Sequence, residues 1–372
     1  MILGVNITRL TRQFTGVGRY IECVLREWSQ MEVPFEKIIL YAPSPIKQER
    51  VVFPLDHFQC EIFGPKLPDP FWEWKALKKR ANEVDVLFCP SYTIPIGYQG
   101  RCVVTNLGPA ENTIGSYQWW RSQAYERLYK YSAHRADMVL ACSHSVKRRL
   151  VEVYGVSENK IQVTYLAASS AFRPIIDKTS LEKARQKYLR SNDPYILFVG
   201  KLARRHYIPN LIQAFAEVYK AHTLPHKLLI VGPDYLNLNV PRIAQKLGIK
   251  DAVIHIPYVN HIDLPLIYNA AELFVYPASE AEGFGIPVIE AMASGIPVIT
   301  VNKGSIPEFA KGVSLLVEDS SVEQLKSGLE RLIYNPLLRK EFADSGIERA
   351  KSITWKITAE KTMDVLWQVA NR

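Results

Sequence analysis

Two glutamates eight positions apart, Glu282 and Glu290, enclose the glycines Gly283 and Gly285 in the stretch YPASEAEGFGIPVIEAMASGIPVIT, residues 276–300. Glycines at the mouth of a helix let a ligand approach the backbone. The helix end itself offers N–H groups and a positive dipole to an anion. Eight residues are roughly two helical turns, so the spacing predicts that Glu290 looks into the region that Glu282 borders. Carboxylates repel phosphate but accept hydrogen bonds well, so beside an anion site they suit sugar hydroxyls. The structural alternative is a plain strand–glycine–helix unit in which a glutamate only partners the dipole. Both glutamates and both glycines, with helix and strand signals in order, favour a binding site.

The elements that must position these residues read as a repeating strand–helix series. The run 273–276 is an apolar strand, Gly295 and Pro297 close the helix, and 298–301 is the next parallel strand. Upstream, strands are predicted at 2–7, 37–41, 60–63, 85–90, 101–106, 137–143 and 161–165, with helices at 72–84, 117–135 and 144–154. Near-continuous apolar strands alternating with helices predict parallel sheets covered on both faces. The composition turns polar over 167–193, which contains Pro174, and a domain boundary is expected there. A second series follows, with strands at 195–200, 227–231, 253–256, 273–276, 298–301 and 313–317 and helices including 209–220 and 264–271. Beyond it come helices at 322–334, 337–352 and 354–370, the last carrying Trp355, Leu366 and Trp367. The expected domains are 1–170 and 171–353, with 354–372 packing back on the first.

Composition narrows the function classes. The 372 residues are 48% hydrophobic and 22% charged, ordinary for a soluble globular chain with two cores. No apolar run is long enough for a transmembrane helix, and MILGVNITRL enters a strand without a secretory leader, so a cytoplasmic location is expected. The five cysteines form no CxxC pair and the eight histidines no ligand cluster, which reads as buried, reduced thiols and no metal site. The net charge of +9 favours anionic partners such as a nucleotide sugar or an anionic membrane surface. Nucleic acid is not expected, because no long basic run, zinc-finger or RNP signature is present. Near the N-terminus, Gly16 and Gly18 follow the first strand, but Ile21 stands where a dinucleotide fingerprint needs its third glycine. A glycine turn presenting backbone N–H groups and Arg19 remains, beside a plain tight turn.

EGFGIPVIEAMASGIPVI (282–299), TGVGRY (15–20), FVGKLARRH (198–206) and ADMVLACSHSVKRRL (136–150) together resemble the retaining glycosyltransferases of family 4, which have the GT-B fold. The resemblance implies an α/β protein of two Rossmann-like domains with parallel sheets facing across a cleft. It implies transfer of a sugar from a nucleotide-diphosphate sugar to a glycan or lipid-linked oligosaccharide in surface polysaccharide biosynthesis, retaining and independent of metal. Glu282 would hold hydroxyls of the transferred sugar and Glu290 those of the ribose. Phe284, Gly285 and Ile286 would offer N–H groups to the diphosphate, Gly16 would lie in the N-terminal glycine loop, and Gly200 would lead from the second domain's entry strand into its phosphate-binding loop. Relatives place a cation in the loop after Gly200, where this chain has Lys201 and Arg205. Arg205 is favoured, since a guanidinium fork suits phosphate. Base recognition would use the loop 257–263, including Val259.

Two departures stand out. His206 replaces a phosphate-binding lysine, and is read either as a phosphate donor or as a solvated loop histidine. The loop after VVTN (103–106) lacks the histidine of relatives, leaving Asn106 as the nearest acceptor-side polar group. The helix predicted at 117–135 interleaves Trp119 and Trp120 with Arg121 and Lys130. It is read either as an amphipathic core helix or as a docking element at the inner membrane surface. The competing functions are a sugar-nucleotide epimerase and a non-catalytic sugar-nucleotide- or glycan-binding relative.

Overall fold

Short apolar runs bounded by polar loops become two all-parallel sheets, because each strand is followed by a crossover that returns the chain in the same direction. The structure is a computed structural model that describes residues 1–11, 16–46, 54–108 and 119–372, with backbone alone at 119–121. In the first sheet β1 (Ile2–Asn6), β2 (Lys37–Ala42), β3 (Gln59–Ile62), β4 (Val86–Cys89), β5 (Cys102–Asn106), β6 (Met138–Ala141) and β7 (Ile161–Val163) lie in the order 3-2-1-4-5-6-7. In the second, β8 (Tyr195–Val199), β9 (Lys227–Val231), β10 (Val253–Ile256), β11 (Leu273–Tyr276), β12 (Val298–Val301) and β13 (Leu315–Val317) lie in the order 10-9-8-11-12-13. Every pairing is parallel, for example Tyr276 with Thr300 and Phe198 with Ile230. This is the α/β, Rossmann-like architecture expected from the strand–helix series. The order reverses between β1 and β4 in one sheet and between β8 and β11 in the other. Chain segments leave the strands in opposite directions there and open a crevice at the carboxyl ends.

The chain forms two compact units, one holding β1–β7 and the other β8–β13. Thr354–Arg372 belongs to the first. Its helix, Trp355–Ala370, is capped by the Thr354 side chain and buries Trp355, Leu366 and Val369. Trp28 donates Nε1–H to the Ala359 carbonyl at 3.1 Å, the Trp355 ring lies 6.1 Å from Tyr20, and Trp367 meets Phe35 edge-on. Those aromatic side chains need an apolar surface, and the helix Gly16–Trp28 supplies it.

Three readings of the sequence need correction. The polar stretch 167–193 contains a helix, Lys178–Leu189, whose first turn is capped by Asp177. Arg185 ties it to the second unit by donating to the Ala270 carbonyl at 2.8 Å. The helix buries so few residues that it has little apolar stripe to read. The single helix expected at 72–84 is instead broken into Asp69–Trp72, a π-turn at Glu73–Leu77, Lys78–Arg80 and a 3₁₀ turn at Ala81–Glu83. A buried Glu73 carboxyl, bonded by Asn6 at 2.9 Å and Thr93 at 3.0 Å, holds the start of that π-turn. Cys60 is exposed, unlike the other four cysteines. Among the described residues no helix is long and apolar enough to cross a membrane.

Candidate functional site

The carboxyl ends of β8 and β11 bring together Arg205, His206 and Glu282. β8 runs into Gly200, whose φ is +157°. Gly232, at the end of neighbouring β9, comes so close that a Cβ on it would lie 1.9 Å from the Gly200 carbonyl oxygen. Glycine at 232 is therefore a packing requirement. The chain then turns through Lys201 and the 3₁₀ segment Arg204–His206 into the fifteen-residue helix Ile208–His222. Tyr207, in the left-handed region at φ +43°, makes the junction.

On the other side β11 ends at Tyr276, and the loop after it brings Glu282 to this turn. One carboxylate oxygen, Oε2, meets Arg205 Nε at 3.1 Å, His206 Nε2 at 3.2 Å and the Tyr276 hydroxyl at 3.3 Å. Tyr276 Oη also lies 3.0 Å from His206 Nε2. The loop is fixed from below by Ser305, whose hydroxyl donates to the Glu282 carbonyl at 2.9 Å. Burial alone would raise the Glu282 carboxyl. The His206 hydrogen bond and the Arg205 charge outweigh it and hold the group at about 2. Glu282 is thus an anion on one oxygen of which Arg205, His206 and Tyr276 converge.

His206 departs from both expectations for it. It is buried to 1% exposure between Phe198 and Tyr276. Its Nδ1 lies 2.5 Å from the Lys201 carbonyl, which can only accept, so Nδ1 donates there. Both ring nitrogens therefore face protein partners, and neither a solvated histidine nor a phosphate donor describes this side chain. Lys201 is exposed, as is Arg204, and its ammonium lies 5.5 Å from the centre of the Tyr235 ring. Its surroundings and the nearby Arg205 charge both hold Lys201 below the ordinary lysine range. Two cations that repel each other gain from an anion placed between them.

The second arm is the helix Ile286–Ala293. Gly285 forms its N-cap at φ +91°, no side chain caps it, and Pro287 has no N–H to satisfy. The backbone at this end is thus suited to an anion. Phe284 is buried, with its ring stacked 4.7 Å from Phe309. Glu290 is buried on the helix and accepts from the Tyr268 hydroxyl at 3.1 Å. Glu282 lies four residues before the helix, so shared helical spacing does not position it. The loop anchor at Ser305 and the turn after β8 do. Val259 is buried in the loop after β10, whereas its neighbour Tyr258 is exposed.

In the first unit, Gly16 is the exposed first residue of its helix, and a Cβ there would meet nothing within 4 Å. Among the described residues no close backbone approach requires that glycine. Asn106 is buried at the end of β5, and its Oδ1 accepts from Gly108 N–H at 3.0 Å, so the carboxamide shapes its own loop. Trp119 and Trp120 open the helix Trp119–Arg135. Their side chains, and residues 12–15 and 109–118, lie outside the described residues. Sequence reasoning passed over Tyr276, Tyr268, Ser305 and Glu73. Only strand position hinted at Tyr276, the last residue of an apolar run. Among the described residues no three of His, Cys, Asp or Glu come together as a cation site.

The family model for Glycosyltransferase Family 4 matches residues 14–168, and that for Glycosyl transferases group 1 matches residues 180–349. The chain belongs to the glycosyltransferases that join these two domains. It is 27% identical over 245 residues to O-antigen chain mannosyltransferase B of Escherichia coli, covering 66% of this chain and 64% of that protein. It is 28% identical over 257 residues to the capsular polysaccharide biosynthesis glycosyltransferase CapM of Staphylococcus aureus, covering 67% and 65%. The matches thus span just under two thirds of these relatives' own lengths. Among solved structures it is similar to HepE of Anabaena in complex with UDP and glucose. That match has a TM-score of 0.77 at 15% identity and covers 99% of both chains. The lipopolysaccharide-biosynthesis glycosyltransferase WaaG matches with a TM-score of 0.72 at 19% identity, over 98% and 99%. At these identities the two structures speak for the fold.

Proposed function

We propose that this glycosyltransferase moves a hexose from a nucleotide-diphosphate sugar to a glycan or lipid-linked acceptor of a surface polysaccharide. In this reading it works at the inner face of the membrane, retains the anomeric configuration and needs no metal. The observation that carries the reading is the cluster around Glu282 Oε2, with Arg205, His206 and Tyr276 at the carboxyl ends of β8 and β11. The O-antigen and capsular relatives and the UDP and glucose of the HepE structure support the substrate class.

The chemistry follows from where charge develops. As the bond from the anomeric carbon to the diphosphate breaks, negative charge grows on the leaving oxygen. Lys201, Arg205 and the helix end at Gly285 would meet it without a metal ion. Glu282, anionic and acceptor-only, suits hydroxyls of the transferred sugar, and Glu290 suits the ribose. The acceptor oxygen bonds to the anomeric carbon on the face the diphosphate leaves, and its proton passes to the departing phosphate oxygen. No side-chain base is needed for that transfer, which accommodates Asn106 in place of a histidine.

Isothermal titration tests the reading. A nucleoside diphosphate should bind without Mg²⁺ and in the presence of EDTA, and Glu290→Ala should weaken it about tenfold or more. Unchanged binding in the variant would remove Glu290 from the site. NMR of the donor incubated alone would reveal a new free sugar nucleotide if the protein were an epimerase. Donor binding without hydrolysis or transfer to any lipid extract would mark a non-catalytic relative.

A further inference from the structure

The broken helix of residues 69–83 has an inner and an outer side with opposite chemistry. Inside, Trp72 and Leu77 are fully buried and the Glu73 carboxyl is bonded to Asn6 and Thr93, which anchors the segment on the first sheet. Outside, Phe71 and Trp74 are 55% and 46% exposed and, three residues apart, share one face. Ile96 is 45% exposed, and its chain neighbour Gly97 lies beside this segment: Lys78 Nζ comes within 2.8 Å of the position a Cβ on Gly97 would take. Lys75 lies 5.9 Å from the Trp74 ring centre. Lys66, Lys75, Lys78 and Lys79 belong to the same stretch of chain, and none has an acidic partner among the described residues. Nearby Arg80 is paired with Glu61 and Glu83, so those two acids face Arg80 rather than these lysines, and one of their two charges is offset by it.

We propose that this face docks the protein on an anionic lipid bilayer. Trp74, Phe71 and Ile96 would enter the boundary between headgroups and acyl chains, with the four lysines among lipid phosphates. Tryptophan prefers that depth, and each unpaired lysine near an anionic leaflet adds attraction that salt weakens. A protein partner fits less well, because protein interfaces are depleted in lysine. The face deepens the membrane-side reading of the acceptor, but it differs from the Trp119–Trp120 helix singled out by sequence, and its test does not use activity.

Flotation with phosphatidylcholine vesicles, with and without phosphatidylglycerol, decides the matter. The protein should float only with phosphatidylglycerol and be released by added salt. Phe71→Ser with Trp74→Ser should lower binding roughly tenfold or more, and Lys75→Glu with Lys78→Glu should abolish the dependence on phosphatidylglycerol. Both variants should bind a nucleoside diphosphate like the parent, which separates this surface from the donor site, and a calorimetric transition of the first unit like the parent's shows that the variants fold. Failure of the parent to float, or equal flotation of the variants, overturns the proposal. So does self-association in light scattering that the Phe71/Trp74 variant alone loses.

Discussion

Three groups, from Arg205, His206 and Tyr276, meet on one oxygen of Glu282, and that makes its charge a stabilising feature as well as a functional one. Its carboxyl is held at about 2, below its unfolded value. Its contribution is therefore present above about pH 4.5 and is lost as pH falls through about 2. Glu282→Gln should lower stability at neutral pH by about 2–3 kcal/mol and flatten the acid limb of a urea-midpoint profile. A parallel downward shift across the whole pH range would argue against the ion-pair cause. The residue types of this site were legible in the sequence, because glycines and spaced glutamates are written locally. The partners were not. His206 was legible as a residue but not as the neighbour of Tyr276, since 70 positions separate them and only the parallel pairing of β8 with β11 joins them.

At the scale of elements, regular strands and helices were readable where apolar periodicity marks a buried face. The segment 69–83 shows where such reading fails. Its period breaks because a carboxyl is drawn inward, and nothing in the local sequence says that Asn6 and Thr93 wait there. Burial, outweighing the Thr93 and Asn6 hydrogen bonds and aided by nearby Asp69, pushes Glu73 up to about 8; Arg9 opposes it. An acid raised in this way favours folding while it is protonated, and that contribution is lost as pH rises towards and through about 8. Glutamine accepts the same two hydrogen bonds without ionising. The stability difference between Glu73→Gln and the parent should therefore move by about 3 kcal/mol in favour of glutamine from about pH 5 to 9. Thermal unfolding across that range measures it, and a pH-independent difference would mean that Glu73 does not titrate in this interval.

At the scale of the molecule, the chain returns at Thr354 to complete the unit it began with. Trp355→Ala should cost about 3–5 kcal/mol, as expected for a large buried aromatic side chain. In calorimetry that variant should lower the transition of the first unit, while a nucleoside diphosphate should raise that of the second. A ligand that shifted the transition lowered by Trp355→Ala, and no other, would place the donor site in the wrong unit. The sequence by itself determined the α/β class, the two series of strands, the family and the residue types around Glu282 and Glu290. These are local properties: periodicity, glycine placement and short motifs each act within a few residues. Only the tertiary structure decided the strand orders and the crevices at β1/β4 and β8/β11. It also decided the burial of His206 beside Glu282 and the outward face of Phe71 and Trp74. Those depend on which distant segments pair, and pairing is settled by the burial of whole faces.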